Sequence, residues 1–416
     1  MADSTVESTG KMSVQRNMLF NTVGAMVYYA CQWLLTILIV RMSGYFDAGI
    51  LSVAMSVTAS PGIIGLFNMR NFQVSDIRGQ FTDKTYIRSR LYTNILSYVV
   101  CIVMVILGGY SLEKASVIFA FMVLKINEGL ADVYYGIEQK NERLDYTGIS
   151  LTVRGLGTLV AFISSFLLLR NLFFSIVIVD VFLFIFVYLY DRNITKRWVK
   201  KDKIVNKEVV TLLYMCVPLA VVGFLNNLSV NIPKIFLENY YGSEIMGIYS
   251  SVASPTLIVQ LAATTIFAPL IPILTRYFQE KDWKSFFGVL KKIGMLVLVL
   301  SVVCIIASKL LAHWGLVLLF SESIEPYVYL FVPNIVVAIL FAINACLFSI
   351  CTLIREIKSQ YIIGIVGIVT AIVLSMIIVK NMSMDGVVYS LIFIFIVQIV
   401  LQIAIIARRI KMEMEL

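Results

Sequence analysis

Residues 386–407 read GVVYSLIFIFIVQIVLQIAIIA and contain no Asp, Glu, Lys, Arg or His. As a helix this stretch would rise roughly 33 Å, enough to cross a hydrocarbon core of about 30 Å. Eleven more predominantly apolar stretches precede it, at about 17–40, 46–69, 91–110, 114–137, 146–169, 171–190, 209–231, 245–274, 289–311, 327–353 and 359–379. The 416 residues are 60% hydrophobic and 14% charged, with mean hydropathy +0.90. Soluble domains average roughly 45–50% apolar and about 25% charged. The composition excludes a soluble enzyme, a disordered scaffold and, despite a net charge of +9, a nucleic-acid-binding protein. The expectation is an all-α polytopic membrane protein of about twelve transmembrane helices. The first apolar stretch exceeds a signal-peptide core, so an uncleaved first helix is expected. The six cysteines lie in apolar runs without a CxxC pair, which argues against a disulfide framework or a zinc site.

Lys and Arg set the orientation. With the N-terminus in the cytoplasm, 26 of the 34 fall at cytoplasmic ends, among them Arg70, Arg78 and Arg90. Six fall at outer ends: Arg41, Lys114, Arg170, Lys234, Lys309 and Lys380. Only Lys125 and Arg154 lie within spans. Both termini are then cytoplasmic, and the positive balance serves topology and attraction to anionic lipid.

The basic stretch 192–208 divides the chain into related halves, an N-terminal six-helix bundle (1–191) and a C-terminal one (209–416). Gly44, Gly49-Ile50 and Ser52 recur as Gly242, Gly247-Ile248 and Ser250, at an offset of 198. Ala59-Ser60-Pro61 recurs as Ala253-Ser254-Pro255, and Arg78 as Arg276. Six helices is an even number, so the pseudo-two-fold axis should run along the membrane normal, with substrate between the halves. Pro61 and Pro255 each remove a backbone donor, so bends and candidate hinges are expected there.

The fourth span carries Lys125, Glu128, Asp132, Tyr135 and Gln139 within a stripe about 80° wide. Each charge near mid-membrane costs about 2.5–3.5 kcal/mol. The stripe therefore forms either an interhelical salt-bridge cluster or the wall of a wet lumen. Tyr135 and Gln139 extend it beyond what a salt bridge needs, which favours the lumen. Arg154 in the fifth span, Gln32 and Arg41 in the first, and Asn227, Asn231 and Lys234 in the seventh join the candidate lining. Asp180 stands alone in the sixth span, with Arg154 or Lys125 as expected partners. No GxxxxGK[ST] motif, nucleophile–base pair or metal-ligand spacing is present, so neither an enzyme nor a cofactor or metal is expected.

A sugar-headed, lipid-tailed cargo needs such a lumen, because each unpaired hydroxyl costs roughly 4–8 kcal/mol in hydrocarbon. Lys125, Arg154, Arg41 and Lys234 would hold its phosphate. Glu128 or Asp132 would carry a coupling proton or sodium ion. The opening Asn17-Met-Leu-Phe-Asn21-Thr-Val-Gly24 resembles the polysaccharide-transport branch of the multidrug/oligosaccharidyl-lipid/polysaccharide exporter superfamily, the O-antigen and teichoic-acid type flippases. So do Val40-Arg41 before Gly44, and Asn68-Met-Arg70-Asn-Phe-Gln73-Val-Ser-Asp76. The resemblance implies translocation of an undecaprenyl-diphosphate-linked oligosaccharide across the bacterial cytoplasmic membrane by alternating access. The alternative is a multidrug or cation antiporter of the same superfamily, with Glu128 and Asp132 as the cargo site.

Overall fold

The computed structural model describes residues 14–76, 79–200, 205–267 and 270–415; the Arg78 member of the Arg78/Arg276 pair lies outside them. Among the described residues every regular element is helical. The first part comprises α1 (Val14–Ser43), α2 (Tyr45–Leu66), α3 (Met69–Ser75), α4 (Asp83–Gly108), α5 (Leu112–Lys140), α6 (Leu144–Leu169), α7 (Leu172–Phe186) and the short α8 (Arg192–Thr195). A π-turn, Val187–Asp191, joins the last two. Then come α9 (Asn206–Ala253), α10 (Thr256–Phe267), α11 (Leu270–Gln279), α12 (Trp283–Phe320), α13 (Phe331–Leu353), α14 (Ile357–Leu374) and α15 (Lys380–Glu415).

Nine helical runs among the described residues are long and apolar enough to span a membrane. Two of these are double. The 48-residue α9 turns at Gly242 (φ 83°), and the 59-residue run Ile357–Glu415 turns at Ser383 (φ 53°). α5 is long enough as well, but its ionised stripe keeps it out of the nine. The architecture is consistent with twelve crossings.

Local sequence explains where the helices begin. The side chains of Thr82, Asn171 and Asp282 accept hydrogen bonds from Thr85, Phe174 and Ser285 N–H, capping α4, α7 and α12. These bonds to Ser285 hold the exposed Asp282 carboxyl below its usual range. Ahead of α6, Arg143 grips Asp145 with two bonds of 2.8 Å, which raises the guanidinium's proton affinity. α2 runs through Pro61, whereas at Pro255 the helix is interrupted between α9 and α10.

The chain forms two compact units. Unit 1 comprises the chain through Leu35 and Pro61–Val217; unit 2 comprises Thr36–Ser60 and Pro218–Leu416. These limits differ from the 1–191 and 209–416 expected from the basic linker. Covalent halves follow the loops, whereas compact units follow side-chain packing. Residues 36–60 are packed with the second half, and 206–217 with the first.

In unit 1, α5 is central, against α3, α4, α6 and α7. In unit 2, α13 packs on α10, α12 and α15. Unit 2 also shows what the 198-residue offset encodes. Gly44 and Gly242 both take positive φ, 89° and 83°, where an L side chain would be strained. A Cβ on Gly49 would meet the Ser243 carbonyl oxygen at 1.7 Å, and one on Gly247 the Tyr45 oxygen at 2.0 Å. Tyr45 and Ser243, like Gly49 and Gly247, are 198 apart. The contact is therefore reciprocal, as a local two-fold relation requires.

Candidate functional site

Unit 1 gathers the ionised stripe of α5 into a paired network. Lys125 Nζ lies 2.9 Å from Glu128, which also accepts from Tyr28 Oη at 2.9 Å. Asp132 accepts from Arg90 at 2.7 Å and from Arg70 at 3.5 Å. Arg70 donates to Gln139 at 3.1 and 2.9 Å. Arg154, buried in α6, donates to Tyr135 Oη at 3.1 Å, and that hydroxyl lies 2.8 Å from Ser150 Oγ. Asp191 from the π-turn adds a carboxylate to the field of Arg154. The network consists of cations and carboxylates in near balance.

One sequence placement is corrected here. Arg90 is not a cytoplasmic-loop residue but is wholly buried, because α4 starts at Asp83, two turns before the apolar run. Arg70 reaches from α3 onto Gln139 and Asp132 of α5. Arg154 is thus joined by a second wholly buried cation, Arg90, and Lys125 beside them is half-buried. The signal was present: Arg90, Thr93, Asn94 and Ser97 sit at i, i+3, i+4 and i+7, and all four are buried. The expected pairing of Asp180 with Arg154 or Lys125 is also absent. Among the described residues no Lys or Arg lies within 4.0 Å of Asp180, and both cations are engaged as above.

Unit 2 has a different arrangement. α2, α9, α10, α13 and α15 enclose a cavity of about 280 Å³. Its polar wall includes Ser52, Ser56, Asn231, Tyr249 and Gln260, and Lys234 faces into it. Lys234 is partly buried and, among the described residues, has neither an ion pair nor a hydrogen-bonded partner. Asn231 is oriented by bonds of 2.9 and 3.0 Å to Asn227, whose side chain lies 3.1 Å from Ser60 Oγ. The structure thus brings Asn227, Asn231 and Lys234 together. It places Arg41 elsewhere. That side chain donates to the carbonyls of Leu318 and, at 2.8 Å, Leu319, at the end of α12, where a cation suits both the open carbonyls and the helix dipole. Gln32 is partly buried on the part of α1 that belongs to unit 1.

Comparison with known proteins agrees with these features. A family model described as "Polysaccharide biosynthesis protein" matches residues 14–278. The capsular polysaccharide biosynthesis protein CapF of Staphylococcus aureus is 24% identical over 312 residues, 74% of this chain and 78% of that protein. Among solved structures, the lipid II flippase MurJ in an inward closed conformation superposes with a TM-score of 0.72 at 12% identity, covering 92% of this chain and 86% of MurJ. An inward-facing multidrug resistance MATE family transporter of the MOP superfamily superposes with a TM-score of 0.68 at 12% identity, covering 95% and 99%. The resemblance read from the opening helices is borne out, and the fold is that of these polytopic transporters.

Proposed function

The chain belongs to the polysaccharide biosynthesis protein family, and on that premise we propose that it is a flippase. Its cargo is an undecaprenyl-diphosphate-linked oligosaccharide, a precursor of a cell-surface polysaccharide. The protein moves it across the bacterial cytoplasmic membrane by alternating access, with both termini in the cytoplasm, drawing on an ion gradient.

The observation that carries this reading is Lys234. An ammonium among transmembrane helices without a counter-charge is costly. It persists where water or an anionic ligand supplies the missing partner. Here it faces a cavity with hydroxyls and amides on its wall. A diphosphate supplies oxygens for the lysine, and sugar hydroxyls exchange water for Ser52, Ser56, Asn231 and Gln260. The lipid tail needs no polar surface and remains in the bilayer.

A cation antiporter calls for the opposite sign. Glu128 and Asp132, the acidic groups it would use, are already ion-paired, and the charged side chain on the polar cavity is a cation, Lys234. Replacing Lys234 with Ala should lower export of the surface glycan roughly tenfold or more, the value of one or two charge-assisted hydrogen bonds. Lys234→Arg should retain most export. Cell-surface glycan in a complemented deletion strain measures both. Equal export by Lys234→Ala and the wild type would refute the reading, as would drug efflux with no glycan phenotype.

A further inference from the structure

Asp180 is the one carboxylate of α7 and is 6% exposed. It lies on an open groove of about 620 Å³ on unit 1, formed by α4, α5 and α7. Tyr98, Phe119, Phe173 and Phe184 give this groove an aromatic and otherwise apolar wall, with Asn127 beside the acid. The Asn127 amide donates to the main-chain carbonyl of Asp180 at 3.4 Å and also interacts with its carboxyl. Asp180 Oδ1 is buried and has no hydrogen-bond partner among the described residues.

The groups on each surrounding element leave the acid without a counter-charge. From α4 the titratable group at the groove is Tyr98. On α5, Lys125 and Glu128 hold one another and Asp132 holds Arg90. On α6, Arg154 is directed to Tyr135. No described Lys or Arg comes within 4.0 Å of Asp180, in contrast to Glu128 and Asp132, which are ion-paired.

A carboxylate without a partner in an apolar wall is strongly disfavoured, whereas the neutral acid is tolerated. One carboxylate and one amide offer too few oxygens for a bare metal cation. Among the described residues no group of three or more His, Cys, Asp or Glu gathers here. The ligand that matches this site is a proton. Ser116 and Phe173, which also line the groove, lie about a turn or less from the ends of α5 and α7 that the Lys/Arg bias assigns to the outside. A proton would therefore enter from that side.

We propose that Asp180 is a proton-binding site on the outer half of unit 1, through which a proton gradient drives the transporter. The step is a simple exchange: the carboxylate gains one proton to become the acid, and loses it when water reaches the groove. The coupling role rests on the transport reading; the proton site itself does not.

The test uses the purified full chain in lipid bilayers. Infrared difference spectra across a pH titration should show a protonated-carboxyl C=O band that disappears in Asp180→Asn and returns, shifted, in Asp180→Glu. Circular dichroism establishes that each variant is folded. In proteoliposomes, Asp180→Asn should lose proton uptake linked to cargo movement while still binding undecaprenyl diphosphate. An unchanged band in Asp180→Asn overturns the site, and unchanged coupled proton uptake overturns its role. If the wild type shows the band but binds no undecaprenyl diphosphate, the flippase reading fails and the proton site stands.

Discussion

In unit 1 Lys125 pairs with Glu128, and Arg90 and Arg70 with Asp132, while the buried Arg154 has the Tyr135 hydroxyl as its hydrogen-bond partner. In unit 2 Lys234 faces a cavity with no carboxylate in reach among the described residues. The two arrangements satisfy charge by different means. Ion pairing satisfies charge permanently and ties helices together, so unit 1's network is built to hold α3, α4 and α5 in register. A lone cation in a polar cavity is satisfied by water and can exchange that water for an anion. The first region should respond to mutation through stability, and the second through ligand.

The largest expected effect is at Asp132. Asp132→Ala strands the fully buried Arg90, and breaking a buried pair in this way costs about 3–5 kcal/mol. Thermal unfolding in detergent should show a marked fall in midpoint. Lys234→Ala in the same assay should stay within about 0.5 kcal/mol of the wild type, because no protein partner is stranded. A comparable loss in both variants would erase the distinction between the regions.

Glu128→Gln sharpens the contrast within unit 1. Its pair with Lys125 is more open, the two side chains being 27% and 28% exposed. The expected loss is about 1 kcal/mol or less, well below that at Asp132 in the same measurement. The smallest effect lies outside the membrane. The Asp282 carboxyl is held below its usual range by its bonds to Ser285. Its contribution is therefore present above the usual carboxylate pKa and is lost as pH falls through the lower, folded value. Amide hydrogen exchange should show the first turn of α12 fraying only once the pH falls below the usual carboxylate pKa, and Asp282→Asn should remove that pH dependence while the Asp132 network is unaffected.

Much of this organisation was legible in the chain. The apolar runs define the helices, and the stripe of α5 is visible from spacing alone. The Gly44/Gly242 and Gly49/Gly247 pairs anticipated the shared backbone turn and the reciprocal crossing seen in unit 2. Other features depend on neighbours that spacing does not identify. Arg90 looked like a loop residue because hydropathy rises only after it, although Thr82 caps the helix two turns earlier. That Arg70 and Arg90 bridge to the stripe is not visible from α5 alone, because both reach it from other helices. The assignment of residues 36–60 to unit 2 follows from packing between distant segments, which a basic linker does not report.

The most direct test is reconstituted translocation. Proteoliposomes carrying the purified chain would be loaded with undecaprenyl-diphosphate-linked oligosaccharide, and the sugar reaching the opposite leaflet would be followed with a leaflet-impermeant lectin. The wild type and Lys234→Arg should move it, and Lys234→Ala, equally stable, should not. Movement by Lys234→Ala at the wild-type rate, or none by the wild type under an imposed proton gradient, would contradict the account.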